Sequence, residues 1–127
     1  MVNGKFQIGP CFYTKNKLPL QHATDIEVQL CLNQLSYVAV LELMIQKQIP
    51  ELKDYDFQEL QLENMVITKS GKQFKQPMRT DKIICGEMRI NPLKEHRPGI
   101  LFSQANFQFE NSSCFGEIWF AIINPNI

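Results

Sequence analysis

Residues 100–123, ILFSQANFQFENSSCFGEIWFAII, are the stretch on which the reading of this chain turns. Successive side chains of a strand point to opposite faces. One face of the first run then holds Leu101, Ser103, Ala105, Phe107 and Phe109, and the other holds Phe102, Gln104, Asn106, Gln108 and Glu110. Apart from Phe102, the first face is dry and the second wet. Asn111-Ser112-Ser113 suits a hairpin turn, and a second run comes after it with Cys114, Gly116, Ile118, Phe120 and Ile122 on one face. Its other face carries Phe115, Glu117, Trp119, Ala121 and Ile123. A strand buried on one side only has no need of Phe115 and Trp119 on its back. It therefore either lies centrally in a covered sheet or presents an aromatic patch to a partner.

Working outward, Ile26, Val28, Leu30 and Leu32 alternate without fault against Asp25, Glu27, Gln29, Cys31 and Asn33, the pattern of a half-buried strand. Residues 35–49 fit two periods. Tyr37, Ala39, Leu41, Leu43 and Ile45 make a strand face, and the β-branched Val38, Val40 and Ile45 favour that reading; a helix after Ser36 is the alternative. The apolar positions then change phase near Asn64, which predicts a bulge or a crossing between sheets. Ser70-Gly71 reads as a turn with Lys72 to Gln76 as the returning limb of a hairpin, and Ile84 to Ile90 is a further half-buried strand. All seven prolines fall between these segments, as they must where each strand residue supplies a ladder hydrogen bond.

Seven or eight short strands with at most one short helix predict an all-β fold. The expected form is a single antiparallel β-sandwich spanning residues 1–127, immunoglobulin-like or jelly-roll-like, with a small β-barrel as the alternative. At 127 residues the chain is long enough to bury a sizeable core unaided. Thirteen basic and thirteen acidic residues leave no net charge, which excludes a surface given over wholly to nucleic acid or membrane. No secretory signal and no stretch of membrane-spanning length is recognisable, so a cytoplasmic location with no membrane partner is expected. Cys11, Cys31, Cys85 and Cys114 are widely spaced and far from a histidine pair. Neither a zinc site nor any other metal or cofactor is expected, and the thiols are read as reduced.

No nucleophile, phosphate-loop or metallopeptidase signature is present, and His22 and His96 lie in polar loops. The chain therefore reads as no enzyme but a non-catalytic interaction or assembly module, an adaptor or subunit of an oligomer. It would bind another protein or its own copies through Phe115 and Trp119. The alternative is a barrel that binds nucleic acid or a phosphorylated ligand through the basic hairpin 69–82, with Lys69, Lys72, Lys75 and Arg79 as the phosphate grip. The acidic stretch Glu51 to Glu63 has the opposite charge and suits head-to-tail contact between copies.

Overall fold

The C-terminal runs form the expected hairpin. The computed structural model describes residues 2–7, 23–46, 65–79 and 82–123, the His96 side chain excepted. In it β5 (Ile100–Phe109) and β6 (Cys114–Ile123) pair antiparallel, with Ala105 opposite Ile118 and Phe109 opposite Cys114. Leu101, Ser103, Ala105, Phe107 and Phe109 are buried, as are Cys114, Ile118, Phe120 and Ile122. The turn between the strands holds Glu110, Asn111 and Ser112 at positive φ (49°, 53° and 67°). A side chain in that left-handed region costs roughly 1–2 kcal/mol, against roughly 0.4–1 kcal/mol of extra unfolded-state entropy for glycine. Ser112 is the position to relieve, because its contribution to the turn is a backbone N–H donated to Gln108 Oε1 at 2.7 Å, which glycine keeps. Ser112→Gly is expected to raise stability by up to about 1 kcal/mol, read as a higher urea midpoint at unchanged m-value.

Around this hairpin β1 (Val2–Phe6), β2 (Met65–Phe74), β3 (Ile84–Ile90) and β4 (Lys94–Arg97) complete one six-stranded sheet in the order β1-β3-β5-β6-β2, with β4 joined to β5. Every pairing is antiparallel. Pro77, Pro92 and Pro98 lie between strands, as expected. Mostly antiparallel sheet is thus correct. Among the described residues, however, the layer against the inner face is one long helix, α1 (Asp25–Ile45), laid against β1 and β3, and not a second sheet.

Both segments expected as strands between residues 25 and 45 are this helix, which corrects the expectation of at most one short helix. Its buried residues recur in pairs every fourth position: Glu27 and Val28, Cys31 and Leu32, Leu35 and Ser36, Ala39 and Val40. Ile26 and Leu30, which complete the period-two pattern, are 62% and 60% exposed, while Leu32 is fully buried. The alternation arises because apolar residues lie on the outside of the helix as well as the inside, so the sequence matches both periods. By length and composition α1 is also long and apolar enough to cross a membrane, which corrects the expectation that no stretch has that length. Here Val28, Leu32, Leu35, Ala39 and Val40 pack into the core.

Two paired glycines make room for it. Gly4 of β1 lies opposite Gly86 of β3. A Cβ on Gly86 would stand 2.5 Å from the Phe109 ring and 3.3 Å from Leu35, and one on Gly4 would stand 2.9 Å from the Phe6 ring. The bay they leave is filled by Phe6 and Phe109, packed edge to face with centroids 6.0 Å apart, and by Leu35 from the helix.

The expected hairpin at Ser70-Gly71 is not formed either. β2 runs straight through both residues to Phe74 along β6, with Gly71 opposite Glu117 and Lys72 opposite Gly116. Close strand approach requires the glycine at position 116, where a Cβ would be 1.9 Å from the Gly71 carbonyl oxygen. The irregularity expected near Asn64 is a bulge between Ile67 and Lys69, a few residues later. It resets the phase so that Ser70, Lys72 and Phe74 face inward, towards α1, while Lys69 and Gln73 face outward.

Candidate active site

At the start of α1, Thr24 is the N-cap and Glu27 the third helical residue of a capping box, with the Thr24 N–H donated to Glu27 Oε2 at 3.2 Å. The Ala23 N–H donates to the Met78 carbonyl at 2.7 Å, tying the entry of the helix to the chain that leaves β2. Between them opens a cleft of about 400 Å³, lined by Ala23, Thr24 and Asp25 on the helix side and by Phe74, Lys75, Gln76 and Pro77 on the other. The first-turn N–H groups of a helix have no preceding turn to bond, and the aligned peptide dipoles make that end electropositive.

The bulge in β2 carries a cation to the same place. Lys72 Nζ is 3.0 Å from Asp25 Oδ1; the lysine side chain is 9% exposed and the aspartate side chain 70%. Lys72 also donates to Gln29 Oε1, as does Ser70 Oγ at 3.3 Å, and Gln29 Nε2 donates to Asn33 Oδ1 at 2.8 Å. Asp25, Gln29 and Asn33 thus form a polar row at every fourth position of α1, facing the inner side of β2. A nearly buried ammonium with two acceptors is held in place, and its carboxylate partner keeps access to solvent.

Cys114 lies close enough to feel both charges. Its thiol is pushed up to about 11, first by burial, with Lys72 lowering it and Asp25 raising it. Cys31 is also pushed up to about 11, by burial against a backbone hydrogen bond that lowers it, with Glu27 raising it further. At neutral pH only about one molecule in 10⁴ carries either as thiolate, so neither is poised as a nucleophile. At pH 8, Cys85, which is exposed, is expected to react with a disulfide reagent while Cys31 and Cys114 stay unmodified, read by mass spectrometry. Burial of the two neutral thiols also ties stability to pH. Their contribution is complete below about 9, where the unfolded thiols are still protonated, and is lost as pH rises towards 11.

The residues singled out from sequence are not brought together. Lys72 faces α1, whereas Lys69 and Lys75 lie on the outer face, each over an aromatic ring: Lys69 Nζ is 4.9 Å from the Trp119 centroid and Lys75 Nζ 5.2 Å from that of Phe115. Arg79 is exposed beyond the end of β2. Phe115 and Trp119 do share the outer face, half-buried. The acidic stretch 51–63 and His22 lie outside the described residues. Sequence reasoning misses Asp25, Gln29 and Thr24 because residues 25–33 fit a strand; the Thr24-x-x-Glu27 spacing is the signal that could have found them. A hollow of about 720 Å³ on the outer face is lined by Gln73, Asn106, Gln108, Phe115 and Glu117 among others. Among the described residues no group of three or more His, Cys, Asp or Glu side chains could hold a metal ion.

The described residues thus form an antiparallel sheet packed on one long helix, with a carboxylate and a cation at the start of that helix. The chain belongs to the FcoT-like thioesterase domain family, whose model matches residues 1–122. Curated relatives from Mycobacterium tuberculosis and Mycobacterium bovis, each called a (2E)-enoyl-[ACP] glycyltransferase, are 28% identical over 97 residues. That match covers 71% of this chain and about half (51%) of the relatives' length. Among solved structures, a probable thioesterase from Bartonella henselae shares 14% identity over 98% of this chain and 91% of its own, with a TM-score of 0.47. A Pseudomonas aeruginosa protein shares 9% over 96% of this chain and 75% of its own, with a TM-score of 0.45. Those overlaps are too low to carry a conclusion.

Family membership overturns the expectation of a non-catalytic adaptor or assembly subunit, together with its nucleic-acid- or phosphate-binding barrel alternative. The family and the names of the relatives point to an enzyme. Asp25 and Lys72, 47 positions apart in the chain, are brought together only by folding.

Proposed function

We propose that this domain acts on acyl thioesters at the cleft where α1 begins. The observation that carries the reading is the Asp25–Lys72 pair, 3.0 Å apart, at a helix N-terminus within a domain of a thioesterase family. When water attacks the thioester carbonyl, or an amine attacks the β-carbon of a 2-enoyl thioester, negative charge grows on the same thioester oxygen. First-turn N–H groups and the Lys72 ammonium offer the positive potential that such an oxygen needs. Asp25, exposed beside them, takes the proton from the attacking water or amine.

The two reactions differ in their second half. Hydrolysis breaks the C–S bond and the proton goes to the departing thiolate. Conjugate addition forms a C–N bond and returns the proton to the α-carbon, leaving the thioester whole. The relatives' name, which specifies an enoyl group on a carrier protein and transfer of glycine, favours the second.

The test is incubation with crotonyl-pantetheine, with and without glycine. Free thiol reports hydrolysis, and an intact thioester heavier by one glycine reports addition. Neither product forming, with this substrate or with a longer-chain 2-enoyl pantetheine, would reject the reading.

A further inference from the structure

We propose that the outer face of the sheet around Trp119 docks an acidic protein that presents the acyl thioester, an inference that rests on the thioester reading above. Trp119 and Phe102 line a hollow of about 290 Å³ beside Lys94, and Lys69 is held over the indole ring at 4.9 Å. A second pair, Lys75 over Phe115, lies four residues away along β6, about 13 Å at strand rise. Lys75 also lines the cleft, so the row of cations and rings runs from Trp119 to the proposed reaction site.

The charge of this face is one-sided although the chain is neutral. By strand register it presents Lys5, Lys69, Arg89, Lys94 and Arg97, with Lys75 over Phe115, against Glu87, Glu110 and Glu117. Lysines already held over rings lose little freedom when a carboxylate arrives, and half-buried aromatics are the usual anchors of protein interfaces. Glu117 lies between the two pairs and interrupts the track that a continuous phosphate backbone would take. Separated acidic side chains around one apolar anchor, as on an acidic helix, match two cations flanking a hollow.

Trp119 is the single tryptophan of the chain, so its emission reports on the surface directly. The experiment titrates a tryptophan-free holo acyl carrier protein against the full chain at about 50 and about 300 mM salt. The expected result is a change in Trp119 emission with an affinity about tenfold weaker at the higher salt, and a further loss of about tenfold in Lys69→Glu/Lys94→Glu. No binding at low salt, binding indifferent to the charge reversals, or a stronger response to a single-stranded oligonucleotide would overturn the proposal. Turnover of crotonyl-pantetheine reads the cleft separately and is expected to be unchanged in the double variant. Absent turnover with salt-sensitive carrier binding would sink the catalytic reading and leave the docking surface standing.

Discussion

Asp25→Asn is expected to lower kcat on a 2-enoyl pantetheine by about 10²- to 10⁴-fold, the range for loss of a positioned general base. The substitution keeps the shape of the side chain but removes both its capacity to take a proton and the negative charge it sets beside Lys72. Because Lys72 is nearly buried, loss of its counter-charge also lowers the melting temperature, so kcat is measured at a temperature where the variant is shown to be folded. Lys72→Met tests the other half of the pair. Its side chain is nearly buried and accepted by both Asp25 and Gln29, so both activity and stability should fall. If the two residues act together at one reacting oxygen, the double variant will lose far less than the product of the single losses. An Asp25→Asn enzyme with full activity would show that chemistry takes place elsewhere.

The second large effect separates helix from strand within one segment. Leu30 and Leu32 lie on the same face of a strand but on different faces of α1, where Leu32 is fully buried and Leu30 is 60% exposed. Leu32→Ala should cost about 2–5 kcal/mol, through lost transfer energy and the cavity left among the core residues around it. Leu30→Ala should change stability by no more than about 0.5 kcal/mol, as surface substitutions do. Equal losses at the two positions, measured by urea unfolding, would contradict the helix.

The contrast between α1 and the C-terminal hairpin shows what kind of information each carries. In residues 103–110 the polar Gln104, Asn106, Gln108 and Glu110 occupy every second position, so one period fits and the buried face is legible. In residues 25–45 apolar side chains at Ile26, Leu30, Val38 and Ile45 lie outside the buried face. They erase the contrast on which any period depends. The capping spacing at Thr24 and Glu27 is the local cue that a helix begins there. Ser70-Gly71 misleads for a related reason. Nothing crowds Gly71 itself, and the dipeptide runs mid-strand because it pairs with Glu117 and Ile118 of β6, more than forty positions away.

By itself, then, the sequence determined a mostly antiparallel sheet, the limits and inward face of its central hairpin, and that Phe115 and Trp119 share the face opposite to it, because pleated alternation is a property of adjacent residues. Only the tertiary structure decided that residues 25–45 are a helix and that Asp25 meets Lys72. The bay left by Gly4 and Gly86 and the phase reset by the β2 bulge arise from contacts between distant segments. No period along the chain encodes them.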